Sequence, residues 1–197
     1  MKIVLATSNP GKLKEFQALS LAAPDLELIL APPGFNPDET GSTFVENALL
    51  KAREAAKLCQ LPAIADDSGL TVEAMDGRPG IHSARYCQGS DADRRQKLLL
   101  ELKDVPIGKR QAAFVCAVAF VDSNGEELFT CEQHWPGQIA TSESGSNGFG
   151  FDPVFVPLGE EITAAQLEPA AKNEVSHRGQ AWRRFLNHLA TQKSPSL

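Results

Sequence analysis

Cysteine is sparse in this 197-residue chain: four residues, at 59, 87, 116 and 131, with no CxxC and no metal-ligand spacing. That absence excludes a disulfide framework and a thiolate metal centre. The cysteines read instead as small buried apolar residues in a reducing compartment. Long apolar runs are missing too. The longest, Ala112 to Val121, is too short and too β-rich to span a bilayer. Residues 1–6 lack the apolar length and cleavage pattern of a signal peptide, so the expected location is cytoplasmic, with no membrane partner. Basic charge is in deficit: 19 Lys and Arg face 25 Asp and Glu, a net −6, which argues against a general nucleic-acid binder. The deficit is uneven. Residues 163–197 carry Lys172, Arg178, Arg183, Arg184 and Lys193 against only Glu168 and Glu174. An acidic body with a basic C-terminal segment suits a metal-plus-anion site better than a DNA groove.

What is present is the profile of a globular protein, 42% hydrophobic and 22% charged, long enough to bury a core without staples. No linker or repeat divides the chain, so one domain is expected over 1–191, with a flexible tail at 192–197. Lys2 to Ala6 reads as a buried strand, and Leu13, Phe16 and Leu19 mark a helix face after it. Leu26 to Leu30 is a second strand, followed by a Pro-rich loop to Gly41. Thr43 and Glu46 form the signature of a capping box, opening a helix to about Cys59. Leu61 to Ala65 is a short strand ending at Asp66, and Leu70 to Ala74 is a possible continuation. Asp91 or Asp93 caps the helix that carries Leu98, Leu99 and Leu102. Gln111 to Val121 and Glu127 to Trp135 flank a hairpin turn. Pro153 to Val156 is a further strand, and a last helix runs from about His177 to Ala190 with Ser176 before it. The pattern predicts a mixed α/β domain with a central sheet.

Four segments carry chemistry. Thr7-Ser8-Asn9-Pro10-Gly11-Lys12 lies between strand and helix, where free amides bind anions, Gly11 allows close approach and Lys12 adds a charge. It is not a Walker loop, since Ala6 replaces the first glycine and Leu13 follows the lysine. Asp66-Asp67-Ser68-Gly69 offers hard oxygens at a strand end, which suit magnesium; neighbouring side chains on a strand face opposite ways, so one Asp is expected in any single site. Gly145 to Pro153 holds Phe149 and Phe151 on a Gly-rich loop, either as a stacking face for a base or as anchors in the core. Its GxxGxG string is not a dinucleotide fingerprint. Lys172 with Ser176-His177-Arg178-Gly179 gathers donors able to reach base carbonyls or phosphates.

Taken in order, these segments resemble the inosine triphosphate pyrophosphatase family, in its bacterial dITP/XTP pyrophosphatase type. Glu39 to Ala48, Ala65 to Leu70, Pro79 to Tyr86 and Gly148 to Pro153 complete the resemblance. It implies an elongated mixed sheet with flanking helices, two lobes around a deep nucleotide cleft, and a homodimer. It implies magnesium-dependent hydrolysis of ITP, dITP and XTP to the monophosphate and pyrophosphate, which keeps these nucleotides out of DNA and RNA. By motif position, Thr7 to Lys12 would hold phosphates, Asp67 would be the catalytic residue and a metal ligand, and Glu39 the second metal carboxylate. Ser68 would contact substrate. Phe149, Gly150, Phe151 and Asp152 would border the base, with Phe149 stacking. Lys172, His177 and Arg178 would read the base and hold the nucleotide. Phe151 stands where relatives often carry Tyr or Trp.

Two other readings compete. The septum-formation inhibitor type of pyrophosphatase would need an arginine in the amino-terminal loop, where only Lys12 and Lys14 stand. A non-catalytic nucleotide sensor on the same scaffold would dispense with metal carboxylates, yet Glu39 and Asp67 are both present.

Overall fold

The computed structural model describes residues 1–193. The strand order in its six-stranded sheet is β2-β1-β3-β4-β5-β6, with β1 at Lys2–Leu5, β2 at Glu27–Leu30, β3 at Ala63–Val72, β4 at Gln111–Val121, β5 at Glu127–Ile139 and β6 at Phe155–Pro157. β1 runs parallel to β2 and β3, with Val4 opposite Ile29 and Ala63, whereas β5 and β6 are antiparallel. The sheet is therefore mixed. Among the described residues five α-helices accompany it: α1 at Pro10–Ser20, α2 at Phe44–Cys59, α3 at Asp91–Glu101, α4 at Pro169–Val175 and α5 at His177–Lys193. Among the described residues no helix is long and apolar enough to cross a membrane.

The chain forms two compact units, each assembled from separated segments. The first comprises residues 1–67, 116–133 and 178 onward, and the second 68–115 and 134–177. β3, β4 and β5 each lend residues to both. The first unit's core joins Ile3 and Leu5 of β1, Phe16 of α1, Ile64 of β3, Val118 and Phe120 of β4, and Trp182 and Phe185 of α5. The second packs Leu70 and Val72 of β3, Leu98 of α3, Phe114 of β4, Trp135 of β5 and Phe155 of β6.

Several expected boundaries shift, each for a local reason. α1 begins at Pro10, two residues before Lys12, because Asn9 caps it and proline is tolerated at a first helical position. β3 is continuous through Asp66 and Asp67, where a strand end was expected, because both carboxylates find buried cationic partners. At α2, Thr43 caps as expected, but the Glu46 carboxylate accepts from Ser42 N–H and Oγ, so the second half of the box closes one residue earlier. Ser90 caps α3, with Asp93 completing its box. The short α4 has no counterpart in the sequence pattern. Residues 192 and 193 extend α5, and the rest of the expected tail, 194–197, lies outside the described residues. All four cysteines are free, but only Cys116 is fully buried. Burial pushes its thiol well above the ordinary range and lifts that of Cys131 to about 11, so both are neutral.

Arg110 is buried in the second unit and donates to three backbone carbonyls: Val105 through Nε, Ala140 through Nη1 and Leu102 through Nη2, at 2.7–3.0 Å. It closes the C-terminal end of α3 onto the segment after β5. Arg110→Met keeps the apolar stem but strands those carbonyls, and should lower stability by about 3 kcal/mol or more in urea unfolding. An unchanged midpoint would deny the arginine this role.

Candidate active site

β3 places Asp66 and Asp67 side by side, and alternation along the strand sends them to opposite faces. Each gathers its own cations. The Lys12 ammonium, from the first turn of α1, lies 2.8 Å from Asp66 Oδ2. Arg178, at the start of α5, reaches the same oxygen with Nη2 at 3.4 Å and pairs through Nη1 with Glu15 of α1. Asp66 and Arg178 are 1% and 2% exposed, so this network is dry. Burial alone would raise the Asp66 proton affinity, but Lys12 and Arg178 together hold it well below the usual carboxylate range.

Asp67 has a different setting. Its Oδ1 accepts from Lys51 Nζ at 2.8 Å, and the same ammonium donates to Glu39 Oε1 at 2.7 Å. Asn47 Nδ2 stands 3.4 Å from Asp67 Oδ2, and Asn47 Oδ1 accepts from Gly41 N–H at 2.8 Å, which ties the Glu39 loop to α2. A Cβ on Gly41 would stand 2.7 Å from that Oδ1, so glycine is required for the approach. Asp67 shares one lysine with Glu39, so its burial is not fully offset and its proton affinity is raised. Lys51 is also desolvated, yet the carboxylates around it raise its proton affinity and keep it charged.

The amino-terminal loop departs from expectation. Asn9 Oδ1 accepts from the amides of Gly11 and Lys12 at 2.9 and 3.1 Å, and Asn9 N–H donates to Thr7 Oγ1. Leu13 N–H bonds to Asn9 C=O, and Pro10 has no amide hydrogen. The helix-start amides expected to be free are thus already taken. Of the loop's expected anion-binding groups, the Lys12 ammonium and the exposed Ser8 differ from these amides in not being used in the helix cap.

In the second unit, Asp152 Oδ2 accepts from Lys172 Nζ at 2.6 Å and from Phe149 N–H at 2.8 Å. Lys172 Nζ is 5.2 Å from the Phe149 ring centroid. Gly148 has φ +72°, and a Cβ there would strike the Asp152 carboxylate. Phe149 is half-buried, whereas Phe151 is buried in the core with its ring edge towards Tyr86, centroids 6.4 Å apart. Phe151 is therefore the anchor of this loop. His177 lies flat against Phe114, centroids 4.8 Å apart and rings 6° from parallel. Ser68 is partly exposed on β3 in this unit.

The structure thus brings together Lys12, Asp66 and Arg178, then Glu39 and Asp67, and separately Phe149, Asp152 and Lys172. Arg178, grouped with Lys172 and His177 by sequence adjacency, pairs with Glu15 and Asp66 of the first unit. Sequence reasoning missed Lys51 and Asn47. Their signal was available: Phe44, Asn47, Ala48, Lys51, Ala52, Ala55 and Ala56 form the buried face of α2, and two polar residues on an apolar stripe call for partners.

Glu39 and Asp67 each place an oxygen on one ammonium, so they are close enough together to serve a single cation. Their oxygens fit magnesium, which typically takes one or two protein carboxylates and completes its shell with water and phosphate. Among the described residues no group of three or more His, Cys, Asp or Glu offers a self-sufficient metal cage.

A mixed sheet with two buried carboxylates on one strand, each paired to cations from the flanking helices, is a charged arrangement of the kind enzymes use. Residues 3–188 match the Ham1 family, and the chain belongs to it. It is 47% identical over 182 residues to the dITP/XTP pyrophosphatase of Pseudomonas syringae pv. tomato, covering 91% of this chain and 92% of that one. With the dITP/XTP pyrophosphatase of Pectobacterium atrosepticum it shares 48% identity over 195 residues, covering 95% and 98%. Among solved structures, a HAM1 protein from Coxiella burnetii superposes with a TM-score of 0.86 at 42% identity, covering 97% and 99% of the two chains. The Staphylococcus aureus Ham1 protein gives 0.86 at 39% identity, covering 98% and 100%.

Because the folded Asp66 carboxyl has a depressed pKa, its ionised form stabilises the fold above the ordinary carboxylate pKa, and that stability is lost as pH falls towards the folded value. The stability difference between wild type and Asp66→Asn should therefore be constant above about pH 5 and shrink below about pH 4. Urea unfolding at pH 7 and pH 3.5 measures it. A difference that grew on acidification would contradict the assignment.

Proposed function

We propose that this chain is a nucleoside triphosphate pyrophosphatase that hydrolyses dITP, ITP and XTP to the monophosphate and pyrophosphate, removing them before they enter DNA or RNA. The observation that carries the reading is the Lys51 ammonium shared by Glu39 and Asp67, which brings two carboxylates to one point. Asp66 stays ionised and holds Lys12 and Arg178 as fixed positive charge. Asp67 has raised proton affinity, which suits a group that orients water and takes its proton. The family membership and the names of the relatives support the same substrate class.

The water oxygen attacks the α-phosphorus, the bond from that phosphorus to the bridging oxygen breaks, and pyrophosphate leaves with the negative charge. Lys12 and Lys51 stand ready to stabilise that charge, which is worth more in a dry site than in water. Ser8 and Thr7 add short donors beside Lys12. Glu39 and Asp67 would hold magnesium, which supplies Lewis-acid stabilisation of phosphate oxygens when bound.

Base selection is assigned to the second unit. Hypoxanthine and xanthine present a 6-oxo acceptor where adenine presents an amino donor. Lys172, held by Asp152, is the ammonium assigned to that oxygen, with Phe149 as stacking face and His177 as a second donor. Adenine would leave a buried donor unpaired, a mismatch that can cost on the order of 10⁴-fold. A homodimer in the cytoplasm completes the proposal.

Pyrophosphate release from dITP, XTP, ATP and GTP tests it, with magnesium and with chelator. Release should be fast and metal-dependent for dITP and XTP and nearly absent for ATP and GTP. Asp67→Asn should lower kcat by about 10³-fold without loss of folding. Undiminished turnover would remove Asp67 from its role, and metal-dependent binding without hydrolysis would mark a sensor instead.

A further inference from the structure

The loop that carries Phe149 is held from a side the proposed chemistry does not use. Asp91 and Arg95 stand one turn apart on α3. Gly150 N–H donates to Asp91 Oδ2 at 2.9 Å, and Gly150 C=O accepts from Arg95 Nη1 at 2.9 Å. Both backbone polar groups of one glycine are therefore gripped by one helix face. The grip is itself braced: Asp91 Oδ1 accepts from Arg94 Nη2 at 2.9 Å, and Arg95 Nε pairs with Glu143 at 2.9 Å. On the other side of Phe149, Asp152 binds the Phe149 amide, and Asp152 N–H returns to Phe149 C=O at 3.2 Å.

These bonds matter because of the glycines. Gly148 and Gly150 take φ of +72° and +60°, and residues with that freedom lose the most conformational entropy when a loop is fixed. A Gly-Phe-Gly segment without anchors would sample many orientations of the ring, and a ligand stacking on it would bear the cost of selecting one. Here the backbone on both sides of the ring is fixed in advance, while the ring itself stays half-exposed.

We propose that Asp91 and Arg95 are positioning residues for base recognition: by clamping Gly150 they hold Phe149 as a preformed stacking face, so they contribute to affinity for the base half of the nucleotide and not for its phosphates. The inference rests on the reading that Phe149 stacks on the base. Neither side chain takes part in the reaction. Its signature is a loss of affinity confined to base-bearing ligands, since preorganisation raises affinity by lowering the ordering cost.

The two reaction products separate the halves. Isothermal titration of dIMP and of pyrophosphate, with magnesium, should show Arg95→Ala and Asp91→Ala each weakening dIMP by ~10-fold, about the cost of ordering one residue. Pyrophosphate affinity and kcat for dITP should be unchanged, and Arg95→Lys, which keeps one donor, should recover part of the loss. In a Phe149→Ala background, Arg95→Ala should weaken dIMP no further. Equal weakening of both products would show a structural role only and overturn the proposal. So would full additivity with Phe149→Ala, or unchanged dIMP affinity in both α3 variants while Phe149→Ala alone weakens it. If Phe149→Ala leaves dIMP affinity intact, the stacking reading itself fails, whatever the α3 variants do.

Discussion

Two adjacent buried carboxylates on one strand would ordinarily be intolerable, since each costs several kcal/mol to desolvate without a partner. β3 accommodates Asp66 and Asp67 because alternation sends them to opposite faces and because each face supplies cations. On one, Lys12 from α1 and Arg178 from α5 meet Asp66, and Glu15 completes the charge balance. On the other, Lys51 from α2 meets Asp67 and draws in Glu39. Three helices and a loop are thus fastened to β3 by charge. The groups that fasten the first unit are the groups to which the proposed chemistry is assigned. The two carboxylates differ: Lys12 and Arg178 hold Asp66 ionised through Oδ2 while its buried Oδ1 accepts no hydrogen bond among the described residues, and Asp67 shares its lysine with Glu39 and keeps a raised proton affinity.

The second unit solves a different problem. In it a half-buried aromatic ring, Phe149, and a buried ammonium, Lys172, are held in fixed positions. Asp152 does this with one oxygen, which anchors Lys172 and the backbone of Phe149 together. Phe151 adds an apolar root beside it, sunk in the core. The Gly-rich loop is consequently an ordered element, and its glycines serve geometry: at Gly148 any side chain would displace the Asp152 carboxylate.

Patterns that depend on local physics were legible in the sequence. The α2 helix with its Thr43 cap, the turn between β4 and β5, and the mixed α/β class all followed from periodicity and capping chemistry. The family was legible too, by motif and by resemblance. Illegible were features decided by partners distant in the chain. Asp66 and Asp67 read as a strand end because nothing nearby in sequence neutralises them; Lys12, Lys51 and Arg178 do so from three helices. Arg178 was grouped with His177 because they are neighbours, although its bonds run to Glu15 and Asp66. The amides of Gly11 and Lys12 read as free because an Asn side chain folding back on them leaves no periodic trace. Lys51 and Asn47 form the instructive case, because their place on the apolar stripe of α2 was visible and only their partners were not.

The central claim is that water attacks the α-phosphorus beside Asp67 and that pyrophosphate departs intact. Hydrolysis of dITP in water enriched in oxygen-18, with mass analysis of both products, tests it most directly. The account predicts label in the monophosphate and none in the pyrophosphate. Label in pyrophosphate would place the attack on the β-phosphorus, and release of orthophosphate would place the cleavage at the wrong bond; either result would contradict the mechanism built on Asp67.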